Sequence, residues 1–137
     1  MNNLPEALRE FTAFHDRLSQ LAAMGGPETD LGPLEAAIHE SYHGAYSNTG
    51  LAKPKTFDKR EGYDPFVAMR KALGSGHTTR MENRTIRMRN EDEAVVFFEH
   101  VVVKDGQDVM RNFFVQTYAK VDGAWKLTRE TMEQVAP

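Results

Sequence analysis

Two Asp-Gly pairs, Asp105-Gly106 and Asp122-Gly123, punctuate a carboxy-terminal half rich in Val, Phe, Thr and Tyr. A two-residue hairpin loop of the right hand needs positive φ at both central positions, which Asp and Gly tolerate, so each pair predicts a tight antiparallel hairpin. Strands are expected at 77–89, 94–104, 108–121 and 124–135, joined as a meander. An unbroken register from the two turns pairs Phe98 with Phe113, Glu99 with Asn112 and His100 with Arg111, then Val115 with Glu130 and Phe113 with Met132. An even turn at 90–93 would pair Arg84 with Glu99, Thr85 with Phe98 and Arg87 with Val96. Side chains alternate along a strand, so these pairings sort the sheet into two faces. One holds Ile86, Met88, Val95, Phe97, Phe114, Tyr118, Trp125 and Leu127, with Arg84, Glu99 and Arg129. The other holds Met81, Val96, Phe98, Val102, Phe113, Val115 and Met132, with Arg87, His100, Arg111 and Glu130.

The amino-terminal half reads as helical. Leu4, Leu8, Phe11, His15, Leu18 and Ala22 recur at spacings of three and four, the stripe of an amphipathic helix over 4–24 that Gly25-Gly26-Pro27 would stop. Asp30 is suited to cap a second helix with Leu34, Ile38 and Tyr42 on its inner face, ending near Ser47-Asn48-Thr49-Gly50. Residues 51–61 read as a loop with a short strand around Thr56-Phe57. Asp64 before Pro65 predicts a third helix, carried by Phe66, Met69 and Leu73 to Gly74-Ser75-Gly76. Helices first and strands last give an α+β domain over 1–137, with helices on one face of the sheet and the other face apolar enough to seek a second copy of the chain.

Composition narrows the function classes. The 137 residues carry 17 basic and 20 acidic side chains, a net charge of -3, so no overall positive field attracts nucleic acid. No apolar run approaches the ~18 residues of a membrane span, and the first residues lack the basic start and apolar stretch of a signal peptide, so a cytoplasmic protein is expected. With no cysteine, disulfides, thiolate catalysis and cysteine metal sites are excluded. Residues 53–89 are basic by +6 between acidic flanks. Solvated strand and loop faces are the ordinary reading of that run; an anion-binding wall is the sharper one.

The order of elements, with the ending Val121-Asp122-Gly123-Ala124-Trp125-Lys126-Leu127-Thr128-Arg129-Glu130, resembles the nuclear-transport-factor-2-like superfamily, especially its SnoaL-like and ketosteroid-isomerase-like members. The resemblance implies a cystatin-like cone in which three helices pack on a curved, four-to-six-stranded antiparallel sheet, with an apolar pocket for a small hydrophobic molecule at the open end. Members include isomerases, cyclases, dehydratases and proteins with no known chemistry, so the fold does not select an activity.

Three constellations carry candidate chemistry. His39-Glu40-Ser41-Tyr42-His43 matches H-E-x-x-H, in which two histidines one helical turn apart bind zinc and the glutamate activates water. A zinc hydrolase is the remote reading, because a third ligand is missing unless Glu61 serves, and neither a metal nor a cofactor is expected. His100, Arg111 and Glu130, with Arg87 nearby, sit mid-strand among Phe98, Phe113 and Met132. If that face lines the pocket, burial would draw the charges together and leave His100 or Glu130 to move a proton while Arg111 orients a ligand oxygen. That chemistry requires His100 and Glu130 within about 8 Å of each other or a bridging water. The competing reading is an exposed cross-strand ladder, and with the opposite face inward Arg84, Glu99 and Arg129 take those places. Tyr42 and Tyr46, one turn apart on the second helix, are candidates to donate a hydrogen bond to a ligand, or else pack in the core with their hydroxyls at its edge. The reading that follows is a homodimeric small-molecule-binding domain, with a proton-transfer lyase or isomerase acting on a small carbonyl compound as its alternative.

Overall fold

The computed structural model describes residues 3–24, 30–73 and 76–137, so the expected helix stops at Gly25-Gly26-Pro27 and at Gly74-Ser75 lie outside the described residues. The order is α1 (Leu4–Ala22), α2 (Gly32–Ala36), β1 (Ile38–Ser47), β2 (Lys55–Asp58), α3 (Lys59–Leu73), β3 (His77–Asn90), β4 (Glu93–Lys104), β5 (Gln107–Val121) and β6 (Ala124–Val135). The six strands form one sheet ordered β2-β1-β6-β5-β4-β3. Its last four strands are the expected meander, and Asp105, Gly106, Asp122 and Gly123 all have positive φ, as the hairpin argument requires.

The largest departure is the second helix. Asp30 Oδ1 accepts the Gly32 amide at 2.8 Å, but α2 is only five residues long, and from Ile38 the chain is extended. This segment, β1, pairs antiparallel with β2 and parallel with β6, so the sheet is mixed rather than wholly antiparallel. Ser, His, Tyr and Gly between 39 and 47 are weak helix formers, and pairing on two edges outweighs the apolar spacing that suggested a helix. The third helix begins earlier than expected. Asp58 Oδ1 accepts the Glu61 amide at 2.9 Å and Glu61 Oε1 accepts the Asp58 amide at 3.1 Å, a reciprocal capping box that starts α3 at Lys59 and leaves Pro65 inside the helix.

Helix α1 lies against one face of the sheet as its stripe predicts. Ala7, Phe11, His15 and Leu18 are buried, and the Phe11 ring meets Tyr118 and Trp125 edge-on at centroid distances of 5.1 and 5.0 Å. Ala94, Val96 and Phe98 of β4, Tyr118 of β5, and Trp125 and Leu127 of β6 complete the core, with Ile86, Met88, Met81 and Phe114 packed against it.

The inner face therefore mixes both expected sets, because β-bulges interrupt the register. Val102 pairs with Met110 but Val103 with Asp108, leaving Val109 as an extra residue. Tyr118 pairs with Leu127 but Thr117 with Arg129, leaving Thr128 extra. Further shifts separate Glu82 from Thr85, where Asn83 has φ 56, and Met88 from Asn90. Each extra residue exchanges the faces beyond it and bends its strand. Phe98 thus faces Phe114, Glu99 faces Phe113, His100 faces Asn112 and Arg111 faces Val101. Glu130 is opposite Gln116 and Met132 opposite Phe114, while Thr85 meets Phe97 and Arg87 meets Val95.

Candidate functional site

Past the Thr128 bulge, Glu130 turns to the same interior as Leu127. Its strand neighbour on β1 is Gly44, and the missing side chain there is what admits Tyr42. A Cβ on Gly44 would lie 2.7 Å from the Tyr42 hydroxyl oxygen and collide with the Phe57 ring. Through that gap the Tyr42 hydroxyl donates to Glu130 Oε1 at 2.7 Å, and Gln116 Nε2 donates to Oε2 at 2.8 Å. Burial raises the Glu130 pKa above the ordinary carboxylate value, against the pull of the two donors. Burial and the adjacent carboxylate push the Tyr42 hydroxyl far up, so it stays protonated. Glu130 nonetheless keeps some accessible surface.

Behind Glu130 a chain of donors runs to the surface in one direction. Asp16 Oδ1 holds Arg84 Nη1 at 2.6 Å, and the same nitrogen lies 3.2 Å from His15 Nδ1. A guanidinium only donates, so Nδ1 is the acceptor and the proton sits on Nε2. His15 Nε2 then donates to Gln116 Oε1 at 3.1 Å, which also accepts the Tyr118 hydroxyl at 2.8 Å. The Gln116 amide is thereby fixed with its NH₂ toward Glu130. His15 is 2% exposed, and burial lowers its pKa, in keeping with the neutral tautomer.

Across the sheet from this polar floor, Phe98 and Phe114 stack at 4.9 Å and 4°, with Met132 beside Phe114. One step further, His100, Asn112 and Gln134 are consecutive cross-strand neighbours. The Tyr46 hydroxyl donates to Gln134 Oε1 at 2.8 Å and accepts from Asn48 Nδ2 at 3.2 Å. Burial alone lowers the His100 pKa, and its ring meets Phe114 edge-on at 5.8 Å.

Of the residues singled out in the sequence, Tyr42, Tyr46, Phe98, His100, Glu130 and Met132 share this interior face. Arg111, Phe113 and Arg87 are on the outer one. Arg111 is bound by Glu82, Glu99 and Asp108 at 3.1, 3.3 and 3.5 Å, and Phe113 and Arg87 are exposed. The expected His100–Arg111–Glu130 cluster is therefore not assembled. His100 and Glu130 are separated by β5 and by four residues along the strands, roughly 15 Å between Cα atoms, which excludes the paired form of proton transfer. Half of the ten basic residues in 53–89 pair with acids of the flanks: Lys59 binds Glu40, Arg60 binds Glu35, Arg80 binds Asp108, Arg84 binds Asp16 and Arg89 binds Glu93. Gln116, His15 and Tyr118 were not singled out by sequence; the one hint was a histidine in the middle of the apolar stripe of α1.

The H-E-x-x-H pattern falls on β1, across the irregular stretch between Ile38 and His43, so its two histidines are not presented on one turn of a helix. His39 Nδ1 is engaged with Ser41, and Glu40 binds Lys59. Among the described residues no three His, Asp or Glu side chains converge to hold a metal ion. Nor is any described helix long and apolar enough to cross a membrane.

No protein-family model and no curated protein sequence matches this chain. Solved structures do. A protein of unknown function with a cystatin-like fold from Nostoc punctiforme is 22% identical over 77% of each chain, with a TM-score of 0.58. An NTF2-like protein with a cystatin-like fold from Novosphingobium aromaticivorans is 18% identical, covering 96% of this chain and 81% of that one at a TM-score of 0.62. The hexachlorocyclohexane dehydrochlorinase LinA-type3 from Novosphingobium barchaimii is 12% identical, covering 90% and 82% at 0.61. With the helix-on-sheet layering and the strand order, these likenesses give the chain the cystatin-like, nuclear-transport-factor-2-like α+β fold.

Proposed function

We propose that this domain binds a small, mostly apolar molecule between α1 and the inner face of the sheet, with a polar atom of the ligand directed at Glu130 and Tyr42. The observation that carries the reading is Glu130 itself, desolvated, raised in pKa and still reachable. Convergent polar groups beside the stacked Phe98 and Phe114 supply the mixture of apolar wall and few polar anchors that small-molecule sites use. A simple ketone, 4-phenylcyclohexanone, serves as probe. Amide and methyl shifts on its addition should cluster at Tyr42, Phe98, Phe114 and Met132; shifts confined to the outer residues Arg87, Arg111 and Phe113, or no shifts at all, overturn the reading.

A second reading has Glu130 act alone as a base, removing the proton next to a ligand carbonyl, with the Tyr42 hydroxyl leaving Oε1 to donate to the carbonyl oxygen as the ligand enters. The raised pKa supports it, and a dehydrochlorinase among the structures of this fold shows that the architecture tolerates chemistry. Deuterium incorporation next to the probe carbonyl in D₂O, lost in Glu130→Gln, is the expected result; incorporation at the buffer rate refutes it.

A homodimer through the outer face belongs to the same proposal. Phe97, Phe113, Val109 and Val135 are 37 to 46% exposed there, an apolar content that favours burial. Sedimentation should give twice the 15.5 kDa chain mass, reduced to one by Phe113→Lys.

A further inference from the structure

The run of hydrogen bonds behind Glu130 begins at a donor that cannot turn round. Of the other members, the Tyr118 hydroxyl can rotate, the Gln116 amide can flip, and the His15 ring can carry its proton on either nitrogen. Reversed, the run would pass from a protonated Glu130 to Gln116 Oε1, from Gln116 Nε2 to His15 Nε2, and from His15 Nδ1–H to Arg84. Only the last contact forbids this. Arg84 Nη1 lies 3.2 Å from His15 Nδ1, and a guanidinium has donors alone. A proton on Nδ1 would therefore face a second N–H inside the protein, with neither satisfied.

A local device of β3 puts Arg84 in that place. Glu82 pairs with Glu99 and Thr85 with Phe97, so Asn83 and Arg84 stand opposite Phe98 alone, and Asn83 takes φ 56. The bulge changes the alternation of the strand. Met81 before it and Ile86 after it both pack on the core, and Arg84 falls in step with Ile86. Asp16, next to His15 on α1, then holds the same Arg84 nitrogen at 2.6 Å. The Asp16 carboxylate is half-exposed, whereas His15 is buried, so the run is anchored at the surface and ends in the interior. The titratable groups facing it are Tyr42 from β1, Tyr118 from β5, Arg84 from β3 and Asp16 from α1.

We propose that Arg84, held by Asp16, is a positioning residue for the pocket: it locks His15 as the Nε2–H tautomer and thereby obliges Gln116 to present its NH₂, not its carbonyl, to Glu130. The inference rests on Glu130 as the polar anchor of the pocket and adds a control point at a surface ion pair. Glu130 Oε2 then stays an acceptor whatever happens at Oε1.

Nitrogen-15 shifts of the His15 ring and carboxyl-carbon shifts of Glu130, followed together through a pH titration of the full chain, test the lock. In the parent, His15 should stay the Nε2–H tautomer on both sides of the Glu130 midpoint. In Arg84→Gln, whose amide can accept as well as donate, the ring proton should move to Nδ1 as Glu130 is protonated. The proton affinity of Glu130 should rise about tenfold there, the worth of one hydrogen bond. Arg84→Lys, again with donors only, should restore the parent behaviour. An unchanged Arg84→Gln, or an affinity that rises with the ring proton in place, overturns the lock, the latter being a plain effect of lost charge. So does a parent ring that switches tautomer or takes a second proton before Glu130 does, a result that needs no variant to fold. No ligand is used, so failure here leaves the pocket itself standing, and a protein with an intact lock that binds no ketone loses the pocket alone.

Discussion

Tyr42 on β1 and Glu130 on β6 meet across the sheet's parallel strand pair, hydroxyl to carboxylate at 2.7 Å, in a gap that exists because Gly44 has no side chain. Removing the hydroxyl leaves one carboxylate oxygen buried without its donor. Tyr42→Phe should therefore lose about 1.5–3 kcal/mol of stability, the usual range for a hydrogen bond to a charged group. The Glu130 pKa should rise further, since one of the two donors that lower it is gone. Urea unfolding and a carboxyl-carbon NMR titration read the two effects, and an unchanged titration would contradict the arrangement.

Gly44 offers a separate test of the same contact. A methyl added there meets the Phe57 ring and the Tyr42 hydroxyl at once, and the Phe57 ring also lies against Gly62. Gly44→Ala should destabilise by about 1–3 kcal/mol through overpacking and lower affinity for the ketone probe. A variant as stable as the parent would mean the strand pair yields more easily than close packing allows.

The pH dependence of stability should have two opposing limbs. His15 and His100 are both desolvated and have pKa values below the ordinary 6.5. Below 6.5 the unfolded chain binds protons that the folded chain refuses, so stability falls as pH drops through that window. Glu130 acts the other way. Its folded pKa lies above the ordinary 4.5, so from 4.5 upward the folded state holds a proton the unfolded state releases, and stability falls as pH rises until the folded pKa is passed. Thermal unfolding across pH 4 to 8 should show Glu130→Gln removing the second limb and His100→Phe reducing the first. Curves parallel to the parent in both variants would refute the assignment.

Most of the element order was readable from residues because local chemistry decided it: the Asp-Gly turns, the α1 stripe, the alternation of the last four strands. β1 was misread because a spacing of four places residues on one face of a helix and also on one face of a strand. Tyr42 and Tyr46 therefore share a side in either conformation, and only pairing with β2 and β6 decides between them. The bulges were invisible for a related reason. Val109 and Thr128 have ordinary strand chemistry, and nothing local marks them as extra residues, yet each exchanges inner and outer sets beyond it. Hence Glu130 and Met132 could be nominated while Arg111 and Phe113, assigned to the same face, are on the other. Gln116 escaped notice because its role depends on His15, a residue on a different element a hundred positions away.

The Thr128 bulge is the most consequential of these features, since it alone brings Glu130 to the inner face after Trp125 and Leu127 have used the odd positions. Deleting Thr128 would leave Leu127 opposite Tyr118, Arg129 opposite Thr117 and Glu130 opposite Gln116 in an unbroken ladder, so Glu130, Met132 and Gln134 stay inward but the bend of β6 at the bulge is lost. Losing that bend shifts Glu130 against Tyr42 and Gly44, and the Thr128 hydroxyl bond goes with it, so the deletion should cost about 2–4 kcal/mol through strained packing and the lost hydrogen bond. Thr128→Gly keeps the extra residue and loses the bond from its hydroxyl to the Thr117 carbonyl, 3.0 Å long and half-buried. That substitution should be milder, about 1–2 kcal/mol from the lost hydrogen bond and the added backbone freedom. Paired thermal denaturation of the two variants separates residue count from residue chemistry. A deletion no worse than the glycine would mean that the bend at the bulge contributes nothing beyond the Thr128 hydroxyl bond.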